Sequence, residues 1–331
     1  MFDAPVSDTP LNEVQLTDRY RKSDGYAVMT GMQALVRLMI EQYELDRRNG
    51  LKTGIYISGY RGSPVGAFDT AIYKAKADLK DRDIVFQPGL NEDLAMTAIG
   101  GTQMVPILDN ALRAEAERYD GVVGVWYGKG PGVDRSIDAV RHCSHQGSSP
   151  KGGMLMIAGD DASGKSSSLA HQSEQSLIAG MVPIIFPASI HEYIPLGLHV
   201  IAMSRHSGCV ASLKVVVDTA DATATVDLEN LVPEIKLPEP PQTDLHAKPG
   251  FTPFLEAERI IIQERLPAAV EYARVNRLNK ITVQPRQKKL GIVAVGRAYL
   301  DVCEALRALR IPPDASGIGV FKVAFVWPME P

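Results

Sequence analysis

A chain of 331 residues with 45% hydrophobic content has enough apolar material for more than one folding unit. Its net charge of −4 gives no electrostatic reason to expect nucleic acid or an anionic membrane as a partner, and no apolar run approaches the roughly 18–20 residues of a membrane span. The three cysteines, Cys143, Cys209 and Cys303, form neither a metal-spaced pair nor a disulfide framework, which fits a reducing cytoplasm and leaves the chain no iron–sulfur or other metal ligand set of its own.

Residues 1–23 read as an irregular arm without the basic-then-apolar layout of a secretion signal. From Tyr26 to Arg48 the apolar residues Val28, Met32, Leu35, Val36, Met39, Ile40 and Tyr43 predict one helix, closed by Asn49-Gly50. A strand over Thr53–Ser58 runs into the turn GYRGSP, residues 59–64, and a helix from Val65 to Leu79 precedes a strand at Ile84–Phe86. Asn91 is a good N-cap for a helix headed by Glu92 and Asp93, expected to run towards Arg118 with a bend at Gly100-Gly101 or Pro106. Gly121–Tyr127 is a buried strand, and its loop Gly128–Gly132 leads to a helix carrying Arg141 and His142. Gly153–Ala158, Val182–Phe186 and Cys209–Val217 add strands, with a polar loop to about Gln175 and a helix after Ser189. Strands that are apolar throughout and alternate with helices indicate an α/β doubly wound, mostly parallel sheet covered on both faces.

From Thr219 a proline-rich stretch reads as a linker or meandering surface segment, followed by a surface helix from Leu255 to Asn279. Leu290–Gly296, a helix through Leu309 and a strand over Gly319–Phe325 begin a second α/β unit, which stops short of a usual domain length. We therefore expect a truncated piece or a chain that a partner completes.

Ligand chemistry in parallel sheets gathers beyond the carboxyl ends of the strands. GYRGSP, the Gly89–Glu92 loop, GKGPG and GDDASGK all follow predicted strands, so four loops converge on one rim. For Glu92 two accounts stand: an acid that favours the positive end of a helix, by about 0.3–1 kcal/mol, or a carboxyl that handles a proton on a bound cofactor. Gly159–Ser166 fits G-x-x-x-x-G-K-[ST] letter for letter, with Lys165, Ser166 and Asp218 as a phosphate-loop set. Against that, the loop follows a late strand, and SSSLAHQSEQS is a poor start for a packed helix. His142, His145, His171 and His206 have no second ligand at metal spacing and read as surface or satisfied core residues. Arg61 and Lys129 lie in rim loops, where they are either solvated or hold an anionic substrate; Arg141 reads as solvated.

Taken together, GYRGSP, LNEDLA, GKGPGVD and AGDDASGKSSSLAHQSEQ resemble, in order and separation, the motifs of the 2-oxoacid:ferredoxin oxidoreductases, most nearly the indolepyruvate branch in its fused bacterial form. The resemblance implies a thiamine-diphosphate-binding fold: an arm over 1–23, a pyrimidine-binding domain over 24–218, a proline-rich linker and helix over 219–287, and the start of a transketolase C-terminal-like domain over 288–331. It implies that Glu92 contacts the aminopyrimidine ring of thiamine diphosphate and exchanges a proton with it. It places Gly59, Tyr60, Gly62, Ser63, Pro64 and Asn91 beside the cofactor, and Arg61, Ser63 and Lys129 beside the substrate. It further implies a 2-oxoacid substrate, coenzyme A and ferredoxin as partners and a cytoplasmic homodimer. The Mg²⁺, the diphosphate-binding GDG…N segment and the iron–sulfur clusters of the family belong to regions absent from these residues. A P-loop NTPase and a catalytically silent fragment are the alternatives.

Overall fold

Side chains alternate between two faces along β2 (Thr53–Gly59), β4 (Gly121–Lys129), β5 (Met154–Asp160) and β7 (Val210–Val216), and both faces are apolar. Ile55, Ile57, Val123, Val125, Leu155, Ile157, Leu213 and Val215 join one buried cluster; Trp126, Met154, Met156, Ala158 and Val210 join another. A sheet that is apolar on both sides needs helices on both sides, and it has them. The computed structural model describes residues 15–109, 114, 118–250, 252–312 and 317–330.

With β1 (Tyr26–Thr30), β3 (Ile84–Phe86), β6 (Ile184–Ile185), β8 (Thr223–Asp227), β9 (Lys280–Val283), β10 (Leu290–Val295), β11 (Ile318–Val323) and β12 (Phe325–Trp327), the described strands form three sheets. The main sheet has the order β12-β6-β7-β5-β4-β2-β3 and is parallel except at β12, which pairs antiparallel with β6. The helices Gly31–Arg48, Ala67–Lys74, Tyr193–Ser207 and Leu266–Val275 supply buried residues on one face; Glu92–Thr102, Ile137–Gln146 and Glu174–Ala179 do so on the other. The expected doubly wound α/β architecture is therefore present.

Several local expectations are corrected. The helix predicted from Tyr26 begins at Gly31, because Thr30 and Gln33 form a reciprocal capping box, with Gln33 N–H donating to Thr30 Oγ1 at 3.3 Å and Thr30 N–H to Gln33 Oε1 at 2.9 Å. Tyr26–Thr30 instead pairs antiparallel with β8, a strand within the stretch expected to be a linker. Part of the predicted arm is the short helix Asp18–Arg21; residues 1–14 lie outside the described residues. The acid-headed helix ends at Thr102 and is followed by a π-turn over Val105–Asp109; the rest of its expected run, 110–113 and 115–117, also lies outside them. The strand expected over Gly319–Phe325 divides. β11 runs parallel to β10 and antiparallel to β9, while β12 passes to the edge of the main sheet.

The helix expected to be a surface element is not one. Ala257, Ile260, Ile261, Ala269, Tyr272 and Ala273 are buried, and so is Arg265. Tyr272 meets His199 of the helix Tyr193–Ser207, with 2.9 Å between the hydroxyl and Nδ1. Burial holds the His199 imidazole down at about 4, against an ordinary value of 6.5. The unfolded chain therefore binds this proton more readily, so the stability that neutral His199 contributes is complete above about 6.5 and is lost as the pH falls towards 4. The loss should be about 3 kcal/mol at most. Urea midpoints compared at pH 7 and pH 5 should fall for the native chain and fall distinctly less for His199→Gln, with a residue from His206, which burial also holds low. Equal falls would contradict this account.

Candidate functional site

The carboxyl ends of β2, β4 and β5 meet at one rim, as the loop order required. Gly89 N–H donates to Gly59 O at 2.8 Å and Gln87 N–H to Ile57 O at 3.0 Å, which ties the approach to the acid-headed helix to the end of β2. Tyr60 N–H donates to Tyr127 O at 3.2 Å, tying the turn to β4. Pro64 is buried behind Gly159 of β5, and Ser63-Pro64 is a cis peptide. The Ser63 hydroxyl donates to Ser166 Oγ at 2.6 Å, so the turn also holds the loop after β5.

Asn91 caps the acid-headed helix as expected, its side chain accepting from Leu94 N–H at 2.9 Å. Glu92 follows it and is only 7% exposed. Trp126, buried in β4, donates its indole N–H to Glu92 O at 3.0 Å and fixes the first turn to the sheet. The Glu92 side chain lies against Gly132: a methyl group there would stand 2.6 Å from Oε1, so only glycine allows the approach. Among the described residues no group donates a hydrogen bond to the Glu92 carboxylate. Its nearest cation is Arg135 Nε, 3.9 Å away, which is closer to Asp93 at 3.1 Å. A buried carboxylate normally spends its lone pairs on donors. This one retains them at the rim, beside the turn at Gly59–Pro64, and so suits a ligand that offers a donor.

Arg61 is exposed and Lys129 half-buried, and neither makes a hydrogen bond or ion pair among the described residues. Lys129 is the last residue of β4 rather than part of a loop; GPGVDR after it is already helical, and the Lys129 stem crosses Gly62. Tyr60 is exposed at the turn. Arg141 and His142 point to solvent from the helix Ile137–Gln146. No direct hydrogen bond joins Glu92 to Ser63; the structure brings their loops together through Gly59, Gly62, Lys129 and Gly132.

The loop Gly159–Ser166 is not a phosphate cradle. The Asp161 carboxylate accepts from the backbone N–H groups of Lys165, Ser166 and Ser167 at 2.9, 2.6 and 2.8 Å, so the donors that would wrap an anion are already taken. The Ser166 N–H above all, with those of Lys165 and Ser167, holds Asp161 down at about 2. Lys165 and Asp218 are exposed, and the next helix begins only at Glu174.

Sequence reasoning missed a buried charge cluster behind the rim. Asp160, at the end of β5, is fully buried and receives Lys214 Nζ at 3.0 Å, Ser173 N–H at 2.8 Å and Ser173 Oγ at 2.5 Å. Lys214 also pairs with Glu174. His171, read from sequence as a singleton, places Nε2 2.8 Å from Asp134 Oδ2, and Asp134 accepts from Ser176 as well. Burial would raise the Asp134 carboxyl, but the Ser176 hydroxyl and the His171 ring outweigh it and hold it below the usual carboxylate range. A buried acid at a strand's carboxyl end followed by a lone histidine was the available signal. Among the described residues no cluster of His, Cys, Asp and Glu could hold a metal ion, and no helix is long and apolar enough to cross a membrane.

Residues 280–331 match the indolepyruvate oxidoreductase domain family. The indolepyruvate oxidoreductase subunit IorA of Methanothermobacter marburgensis is 22% identical over 297 residues, which cover 88% of this chain and 43% of that protein. Among solved structures, a 2-oxoglutarate:ferredoxin oxidoreductase from Magnetococcus marinus, with 2-oxoglutarate, coenzyme A and succinyl-CoA bound, superimposes with a TM-score of 0.63. It shares 12% identity, over 92% of this chain and 55% of its own, and so speaks for the fold. The chain spans about half the length of the proteins it matches. In motif order, in its doubly wound sheet and in these three matches the chain is similar to the 2-oxoacid:ferredoxin oxidoreductases.

Proposed function

We propose that this chain supplies the pyrimidine-facing half of a thiamine diphosphate site in an enzyme that oxidatively decarboxylates an aryl 2-oxoacid, indolepyruvate by preference. The acyl group would pass to coenzyme A and the electrons to ferredoxin. The observation that carries the reading is the Glu92 carboxylate: buried, at a helix start, and without a hydrogen-bond donor among the described residues. Thiamine diphosphate, when bound, supplies carbanion stabilisation at the carbon that attacks the keto group.

The chain's own part is to place one proton and one anion. Glu92 accepts a donor from the aminopyrimidine ring and holds or returns a proton there, while the sheet and Gly132 keep water from its other side. Gly59, Tyr60, Gly62, Pro64 and Asn91 shape the wall beside it. Arg61 and Lys129, two cations without partners among the described residues, are suited to the substrate carboxylate, and Ser63 offers a hydroxyl once it leaves Ser166.

In this reading residues 24–218 form the pyrimidine-binding unit and 219–287 the connection. The start of the next domain falls in 288–331, with β12 seated on the main sheet. Mg²⁺, the diphosphate grip and the clusters belong to other regions of a cytoplasmic homodimer. Combined with proteins that carry those regions, the chain should release CO₂ from indolepyruvate and reduce ferredoxin, and leaving out thiamine diphosphate should stop both. Turnover that is indifferent to thiamine diphosphate would overturn the proposal.

A further inference from the structure

We infer that His171 is a positioning residue for Glu92, acting through the short helix Gly130–Arg135. That helix is gripped from both sides. On one side a methyl group at Gly130 would stand 1.9 Å from His171 Nδ1, so the imidazole lies flush against the backbone where the helix begins. The same ring reaches Asp134 through Nε2 at 2.8 Å, four residues further along. On the other side Gly132 lies against the Glu92 carboxylate, with Arg135 3.9 Å from it. Displacing the helix by even a fraction of an ångström moves the wall against which Glu92 rests.

The ring is itself fixed by buried charge. Nδ1 is buried without a hydrogen-bond partner, 3.7 Å from Asp160 Oδ1, whose carboxylate is already committed to Lys214 and Ser173. His171 N–H donates to Asp161 O at 3.0 Å, which anchors its backbone to the end of β5. A buried ring nitrogen without a partner is tolerated where other contacts fix the ring. Here the contact with a visible structural effect is Nε2 to Asp134. The histidine thus transmits the position of β5 to the helix that closes over Glu92. Its meaning for catalysis rests on the reading of Glu92 given above; the clamp itself does not.

The two ring nitrogens can be separated by substitution. His171→Gln keeps a donor near the Nε2 position, whereas His171→Asn keeps one only near Nδ1. The readout is labelling of Glu92 by a water-soluble carbodiimide in the full chain without cofactor, with exposed Asp301 of the helix Arg297–Ala308 as the reference. His171→Asn should raise Glu92 labelling roughly tenfold through local opening, and His171→Gln should stay within about twofold of the native chain. Asp134→Ala, at an exposed position, should raise it as His171→Asn does, and it decides the question if His171→Asn unfolds. Unchanged labelling in Asp134→Ala, or equal labelling in His171→Gln and His171→Asn, overturns the clamp. The proposed function fails separately, through Glu92→Gln; a clamp without catalysis and catalysis without a clamp give different results.

Discussion

Glu92→Gln should abolish turnover of the complete enzyme while leaving the fold of this chain intact. Glutamine has the shape of glutamate but neither accepts nor returns a proton at neutral pH, and positioned acid–base groups typically contribute about 10²–10⁴-fold. The structure makes this a clean substitution. The carboxylate accepts no hydrogen bond from the described residues, and its 3.9 Å approach to the half-exposed Arg135 contributes little. The Trp126 indole contacts the Glu92 backbone rather than the side chain, so the helix start keeps its anchor. The expected pattern is a fall in kcat of at least about a hundredfold at saturating thiamine diphosphate, with a thermal midpoint close to that of the native chain. Activity within tenfold of the native enzyme would remove Glu92 from the mechanism.

The largest loss of stability is expected away from the rim. Arg265 is 4% exposed and donates to Leu245 O at 2.7 Å, Ser144 O at 2.6 Å, His145 O at 3.2 Å and Gln146 O at 3.4 Å. One guanidinium thus satisfies the carbonyls at the end of the helix Ile137–Gln146 together with one in the irregular strap before residue 253. Helix C-termini leave several carbonyls without internal partners, and burying them unpaired is costly. Burial pushes the Arg265 guanidinium down from its ordinary value. Arg265→Met keeps the volume and removes all the donors, and it should lower the unfolding free energy by about 3 kcal/mol. Arg265→Lys should recover only part, because one ammonium cannot span carbonyls from two directions. Urea unfolding measures both; a loss below about 1 kcal/mol for Arg265→Met would mean that water satisfies these carbonyls.

Arg265 also shows where reading the sequence stops. An arginine in a helix with neighbouring glutamates is, by periodicity, a solvated residue, and the helix Leu255–Asn279 was expected on the surface for that reason. Its burial depends on the strap at 228–250 and the end of a helix more than a hundred residues upstream. No local pattern encodes that meeting. Thr30 is a different case: Thr-x-x-Gln is a local signal, and the capping box explains why the helix starts five residues later than the apolar stripe suggests. The stripe fails at its first member: Val28 is exposed on β1, whose buried residues are Ala27 and Met29, at strand spacing.

The parallel strands, the Asn91 cap and the convergence of four loops on one rim follow from the order of residues alone, since apolar runs, N-caps and strand-to-loop succession are local properties. Folding in three dimensions decided which groups were left without partners. It spent the backbone donors of the GDDASGKS loop on Asp161, turned His171 from a singleton into a bridge towards Asp134, and buried Glu92 against Gly132 with its acceptors free. Hydrogen-bond partners and burial depend on residues far apart in the chain, and they distinguish a carboxylate that caps a helix from one kept ready for a ligand.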